Sequence, residues 1–175
     1  LDENTVFEIG SVTKVFTATV LAGMVERGEA ALTAPVKSLL PAEVRVPERG
    51  GKAITLLDLT THTSGLPTLP DNLLSTCDPA NPYARYTVQQ LYAFLGAYSL
   101  PRDIGSRFEY SNVGVGLLGH ALALKSGLGY EEMVRRQILA PLAMKDTAIS
   151  LSPALKARLA IGHDGAGNAV SGWDL

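Results

Sequence analysis

Thiol chemistry is nearly absent from this sequence. Cys77 is the one cysteine in 175 residues, so no internal disulfide can form, and no metal-ligand spacing surrounds it. Charge is sparse as well, at 18% of residues against roughly 25% in an ordinary soluble domain. That shortfall fits either a chain with part of its surface covered or one that is merely rich in Ala and Leu. The 15 basic and 17 acidic residues form no basic run or stripe, which leaves nucleic-acid binding without an electrostatic footprint. Long apolar runs are missing too. The longest, residues 15–25, is broken by two threonines and a glycine and falls short of the roughly 20 residues of a membrane span. His62, His120 and His163 share no ligand spacing, so neither a metal nor a cofactor is expected. There is no internal repeat and no low-complexity tract. No signal peptide is visible, but a chain that starts at Leu1 without methionine says nothing about export.

What is present is helix-forming. With 46% hydrophobic residues the chain can bury a core and make one domain over 1–175. The pattern predicts a first helix from residue 11 to about 27, stopped by Gly28 and apolar nearly all round, hence buried and central. A short helical turn ends at Leu39, Leu40 and Pro41, and residues 45–52 read as a loop around Gly50-Gly51. Thr55 with Asp58 and Thr87 with Gln90 have capping-box spacing and open two further helices. The first stops near His62, whose side chain can serve the terminal carbonyls, and the second runs through Tyr98. Residues 68–86 read as a long loop, which in a compact domain suggests a function. Helices are expected at 113–126 and 131–139, with a last one opening at Pro153 and ending near Ala160. Strand signals are few, at 107–110 and 147–150.

Two short motifs can carry chemistry. In Ser11-Val12-Thr13-Lys14 the i and i+3 side chains share a helix face, so the hydroxyl and the ammonium can meet. A lysine buried among apolar neighbours is pushed toward its neutral form and can take the serine's proton. At a helix N-terminus the Ser11 N–H also faces a developing oxyanion. Taken alone, Ser-x-x-Lys is common by chance and more often marks a capping serine with a solvated lysine. In Tyr110-Ser111-Asn112, extended backbone puts Tyr110 and Asn112 on one side. A phenol near a lysine can then act as base or acid, and an amide beside it can orient a substrate carbonyl. A buried tyrosine followed by a helix cap explains the same tripeptide.

The combination is more specific than its parts. Phe7-Glu8-Ile9-Gly10-Ser11-Val12-Thr13-Lys14, Leu59-Thr60-Thr61-His62-Thr63-Ser64-Gly65-Leu66-Pro67 and Tyr110-Ser111-Asn112 follow one another in that order. Over nearly its whole length the chain resembles the family of class C β-lactamases, D-alanyl-D-alanine carboxypeptidases and β-lactamase-like esterases. Residues 141–147 resemble a further family segment, with Ala143 where glycine is usual. The resemblance implies Ser11 as acylated nucleophile, Lys14 as its proton partner, Tyr110 as general base and Asn112 as substrate contact. It implies a β-lactam, a D-Ala-D-Ala peptide or a small ester as substrate, and an exported protein, periplasmic or extracellular.

Departures from that pattern shape the expected fold. The family carries a Lys-Thr-Gly type triplet on a sheet strand far beyond the tyrosine motif. Here Lys125-Ser126-Gly127 follows Asn112 too closely and reads as a helix end with a glycine stop. The expectation is a mainly α chain, the helical part of the β-lactamase/transpeptidase-like α/β fold with most of its antiparallel sheet missing. Such a piece would be poorly active alone and would pair with a complementary fragment or with itself. Gly114-Val115-Gly116-Leu117-Leu118-Gly119 matches a dinucleotide fingerprint, but no buried strand precedes it and no acidic residue follows at the right distance. Its small residues suit close helix packing. A Ser–His–Asp triad has no Gly-x-Ser-x-Gly elbow to support it. The competing class is a penicillin-binding receptor that stays acylated, or an inert scaffold.

Overall fold

A computed structural model describes residues 1–73 and 81–173. Cys77 and part of the 68–86 segment lie outside the described residues. The chain enters through a 3-10 turn, Gly10–Val12, that leads directly into α1 (Thr13–Glu26). The end of α1 is written in its sequence. Gly28 takes a left-handed φ of 71°, and Glu29 N–H then reaches back to the Met24 carbonyl while Gly28 N–H reaches Val25, which closes a Schellman cap. Only one stripe of α1 is buried: Thr17, Val20, Leu21 and Met24. The expected all-round burial is wrong, since Val15 is 62% exposed and Val12 is exposed beside it. An apolar composition around a helix shows what it can bury, and the packing partners decide what it does bury.

Residues 45–52 are more ordered than a loop. β1 (Glu48–Arg49) pairs antiparallel with β2 (Lys52–Ala53), and Gly50 and Gly51, both at positive φ, supply the two-residue turn that such a hairpin needs. Both capping boxes form. Thr55 opens α2 (Leu56–Thr60) with Asp58 as reciprocal partner, and Thr87 opens α3 (Val88–Ala97) with Gln90. The next helix, α4 (Asn112–Ser126), is capped by the Ser111 side chain. It ends in a second Schellman arrangement in which Gly127 has φ 68° and Leu128 N–H bonds Ala123. α5 (Tyr130–Val134) runs into a π-helical turn, Arg135–Leu139, and α6 (Pro153–Lys156) is a single turn.

Neither expected strand forms. Residues 107–110 form no ladder, and at 147–150 the Ile149 and Ser150 amides bond the Glu131 carboxylate instead of a neighbouring strand. A two-residue hairpin, β3 (Gly162–His163) with β4 (Ala169–Val170), forms where none was expected.

The core is one cluster built around α4, whose Leu117, Leu118 and Leu122 are inaccessible to solvent, with Leu56, Leu59, Ile54, Phe94, Leu95 and Met133 around them. The glycines of α4 serve packing. A Cβ on Gly119 would stand 3.0 Å from the Tyr130 ring and 3.7 Å from Thr17 of α1, so glycine is what lets α1 and α4 approach. Among the described residues no helix is long and apolar enough to cross a membrane.

Candidate active site

α1 and α4 run side by side in the same direction. Ser11 and Asn112 lie at their N-terminal ends, while Met24, Arg27, Lys125 and Ser126 line a common depression at their C-terminal ends. At about 1.5 Å per residue, Lys125 is roughly 20 Å along α4 from Asn112. The Lys125-Ser126-Gly127 triplet is a helix terminus and takes no part in what surrounds Ser11.

Three of the four expected residues meet. Lys14 Nζ donates to Ser11 Oγ at 3.0 Å, the i to i+3 contact of a helix face. Tyr110 Oη lies 2.7 Å from the same Oγ. Lys14 also sits over the Tyr110 ring, 4.8 Å from its centroid. The Tyr110 phenol is held below its ordinary value by the Lys14 ammonium first and the Ser11 hydroxyl second. Ser11 is the second residue of the 3-10 turn, a position at which a helix start leaves amides without an intrahelical partner and so open to an anionic oxygen. Asn112 begins α4, half-buried. Its backbone N–H bonds the Thr68 carbonyl at 3.0 Å, and its side chain makes no hydrogen bond among the described residues. Among the described residues no group of His, Cys, Asp or Glu could hold a metal ion.

Tyr110 projects toward Ser11 because its backbone is clasped from outside. Residues 62–68 run alongside residues 109–112 and bond them at almost every step. Glu109 N–H donates to the His62 carbonyl (2.8 Å), Ser111 N–H to His62 Nδ1 (3.1 Å), Ser111 Oγ to the Pro67 carbonyl (2.6 Å), and Thr68 Oγ1 to the Tyr110 carbonyl (3.0 Å). His62 stands at φ 59°, a left-handed conformation that a side-chain-bearing residue rarely adopts. Its ring lies against Tyr110 (centroids 4.7 Å apart) and edge-on to Phe108 (5.6 Å). The expectation that His62 satisfies helix-terminal carbonyls is therefore corrected, because the imidazole accepts a hydrogen bond from a residue 49 positions away. The run from Leu59 to Pro67 was conspicuous in the sequence, but nothing in its spacing says that it grips another segment. His120 is half-buried in α4, with its Nε2 2.7 Å from Tyr92 Oη.

Comparison with known proteins places the chain in a family. A family model described as Beta-lactamase matches residues 1–174. The chain belongs to the Beta-lactamase family. It is 34% identical over 163 residues to the D-alanyl-D-alanine-carboxypeptidase/endopeptidase AmpH of Escherichia coli (strain K12), covering 93% of this chain and 42% of that protein. It is 34% identical over 172 residues to a β-lactamase of Pseudomonas fluorescens, covering 97% and 44%. Among solved structures, a β-lactamase/D-alanine carboxypeptidase from Yersinia pestis superposes with a TM-score of 0.81 at 30% identity, covering 95% of this chain and 48% of that one. The chain thus spans less than half the length of the curated relatives it matches. Its fold is that of the corresponding part of the β-lactamase fold, and its relatives are hydrolases.

Proposed function

We propose that Ser11 attacks the carbonyl carbon of a β-lactam, a D-Ala-D-Ala peptide or a small ester and carries the acyl group as an ester. The observation that carries this reading is the convergence of Lys14 Nζ and Tyr110 Oη on one oxygen, Ser11 Oγ, at 3.0 and 2.7 Å. With Tyr110 as the phenolate, the Ser11 O–H proton passes to Tyr110 as the bond from Oγ to the carbonyl carbon forms. Lys14 keeps its charge beside both oxygens. The negative charge on the carbonyl oxygen is met by the Ser11 N–H. On collapse the bond to the leaving nitrogen or oxygen breaks, and the leaving group takes the proton from Tyr110. Water then repeats the sequence on the acyl-enzyme. The free Asn112 amide, at the start of α4, serves as contact for the substrate's polar groups.

Residues 1–175 act as one domain in this reading, an exported one, with a small molecule or peptidoglycan peptide as partner. Intact-mass analysis after exposure to a penicillin tests the proposal. An adduct that forms on Ser11 and decays means hydrolysis, and a stable adduct on Ser11 means a receptor. An adduct elsewhere, or none, overturns the assignment.

A further inference from the structure

Resting on that reading of Ser11, we infer that His62 is a positioning residue for the reaction: its unprotonated Nδ1 holds the Ser111 amide, and so holds Tyr110 against Ser11.

The tautomer follows from the partner. A backbone N–H can only donate, so at 3.1 Å the His62 Nδ1 must be a bare lone pair and any ring proton must sit on Nε2. The hydroxyls of the clasped segment are engaged elsewhere. Ser111 Oγ is already spent on the Pro67 carbonyl and the Gly114 amide, and the Thr68 hydroxyl on the Tyr110 carbonyl. The two residues that flank Tyr110, Glu109 and Ser111, are therefore fixed by one histidine. The flanking Glu109 amide is held by the His62 carbonyl and the Ser111 amide by its ring, while the ring face supports the phenol that reaches Ser11. The left-handed backbone of His62 is the geometry that lets carbonyl and ring serve the same neighbouring segment. Observed strain at a site-lining residue is the kind that function retains.

A ring that must accept is a ring that must stay neutral. Protonating Nδ1 sets two donors against each other at the Ser111 amide. It also places a second positive charge near Lys14. The charged and titratable groups on adjoining elements are Lys14 of α1, Tyr110 and Glu109 of the clasped segment, and Asp58 of α2. Glu109 is paired with Arg102, and Asp58 is occupied by Thr55 and Thr63. Burial first and the charge of Lys14 second hold the imidazole below its ordinary value of 6.5. The folded site thus keeps the accepting form through neutral pH and loses it as pH falls through that lowered value.

Two substitutions separate position from mere stability. His62→Asn puts an amide oxygen where Nδ1 stands, tolerates a positive φ and does not titrate. His62→Gly relaxes the backbone and removes the acceptor. The rate of Ser11 labelling by a fluorescent penicillin is followed against pH, with thermal unfolding to verify that each variant is folded. His62→Gly should label on the order of 10- to 100-fold more slowly, the scale of a small misplacement of a reacting group. His62→Asn should label at near the wild-type rate at neutral pH and keep only the gradual fall set by Tyr110, without the further acidic loss that protonation of His62 adds in wild type. A folded His62→Gly that labels like wild type, or a His62→Asn whose pH profile is the same as that of wild type, overturns the inference. If wild type does not label on Ser11 at all, the proposed function fails, and the hold itself is still decided by ¹H–¹⁵N spectra. A Ser111 amide resonance that moves with the titration of the His62 ring supports the hold, and one that stays fixed while the ring titrates overturns it.

Discussion

The Lys14 ammonium lies 4.8 Å from the centroid of the Tyr110 ring, so the cation that touches Ser11 also governs how readily the phenol gives up its proton. A phenol held below its ordinary value of 10.0 gains its base form at lower pH. If Tyr110 takes the Ser11 proton, acylation rises as pH rises through that lowered value. Lys14→Gln removes the charge and should move this limb upward in pH, read from labelling rates or from tyrosinate absorbance. A limb that does not move would separate Lys14 from the proton transfer.

Ser11→Ala should abolish covalent labelling and leave the unfolding transition in place, because Ser11 is exposed and packs against no core residue. On the proposed reading, Lys14→Ala and Tyr110→Phe should each lower turnover by roughly 10²-fold or more. The double variant should lose less than the sum of the two, since both act on one oxygen. Strictly additive losses in a four-variant cycle would show that they serve different steps.

Ala143 is exposed and adopts φ 53°. A left-handed alanine costs about 1–2 kcal/mol, whereas glycine adds about 0.5–1 kcal/mol of chain entropy to the unfolded state. Ala143→Gly should therefore stabilise the protein by roughly 0.5–1 kcal/mol. A urea midpoint that falls instead would mean that the alanine methyl makes a contact worth more than the strain.

On the proposed reading, the Ser11 N–H is the backbone amide that the described residues offer to an oxyanion. Loss of a single oxyanion donor costs on the order of 10²–10³ in rate. Residues 1–175 alone should thus turn over a β-lactam or an ester slowly, and a second donor supplied in trans by a complementary segment should raise the rate. Rapid Ser11-dependent turnover by a monomer of this chain would contradict that prediction.

Local chemistry was legible in the sequence. Thr55, Asp58, Thr87 and Gln90 specify their caps within four residues, Gly28 and Gly127 specify their helix ends, and Ser11 and Lys14 need only one helical turn to meet. The Tyr110–Ser11 contact spans 99 positions, and only the order of motifs pointed to it. The hairpins at Gly50-Gly51 and at 162–170 escaped because two-residue strands carry no periodicity. Residues 107–110 have strand composition but no ladder partner, and the clasp from residues 62–68 takes its place. The role of His62 could not be read at all, because a side-chain acceptor for a distant amide leaves no spacing behind.

Gly119 makes the separation of α1 and α4 a ruler for the site. The Tyr130 ring that would meet a Cβ there is tethered through its hydroxyl to Thr17 of α1, with 2.6 Å between the two oxygens. The ring cannot swing aside without taking α1 with it. In Gly119→Ala the added methyl would push the two helices apart at a point roughly 10 Å from Asn112, two helical turns away. Ser11 rides on one helix and Asn112 on the other, so a wedge in the packing is read out as a wider gap between nucleophile and amide. On the proposed reading of Ser11, Gly119→Ala would thus change the room left for an acyl group between them.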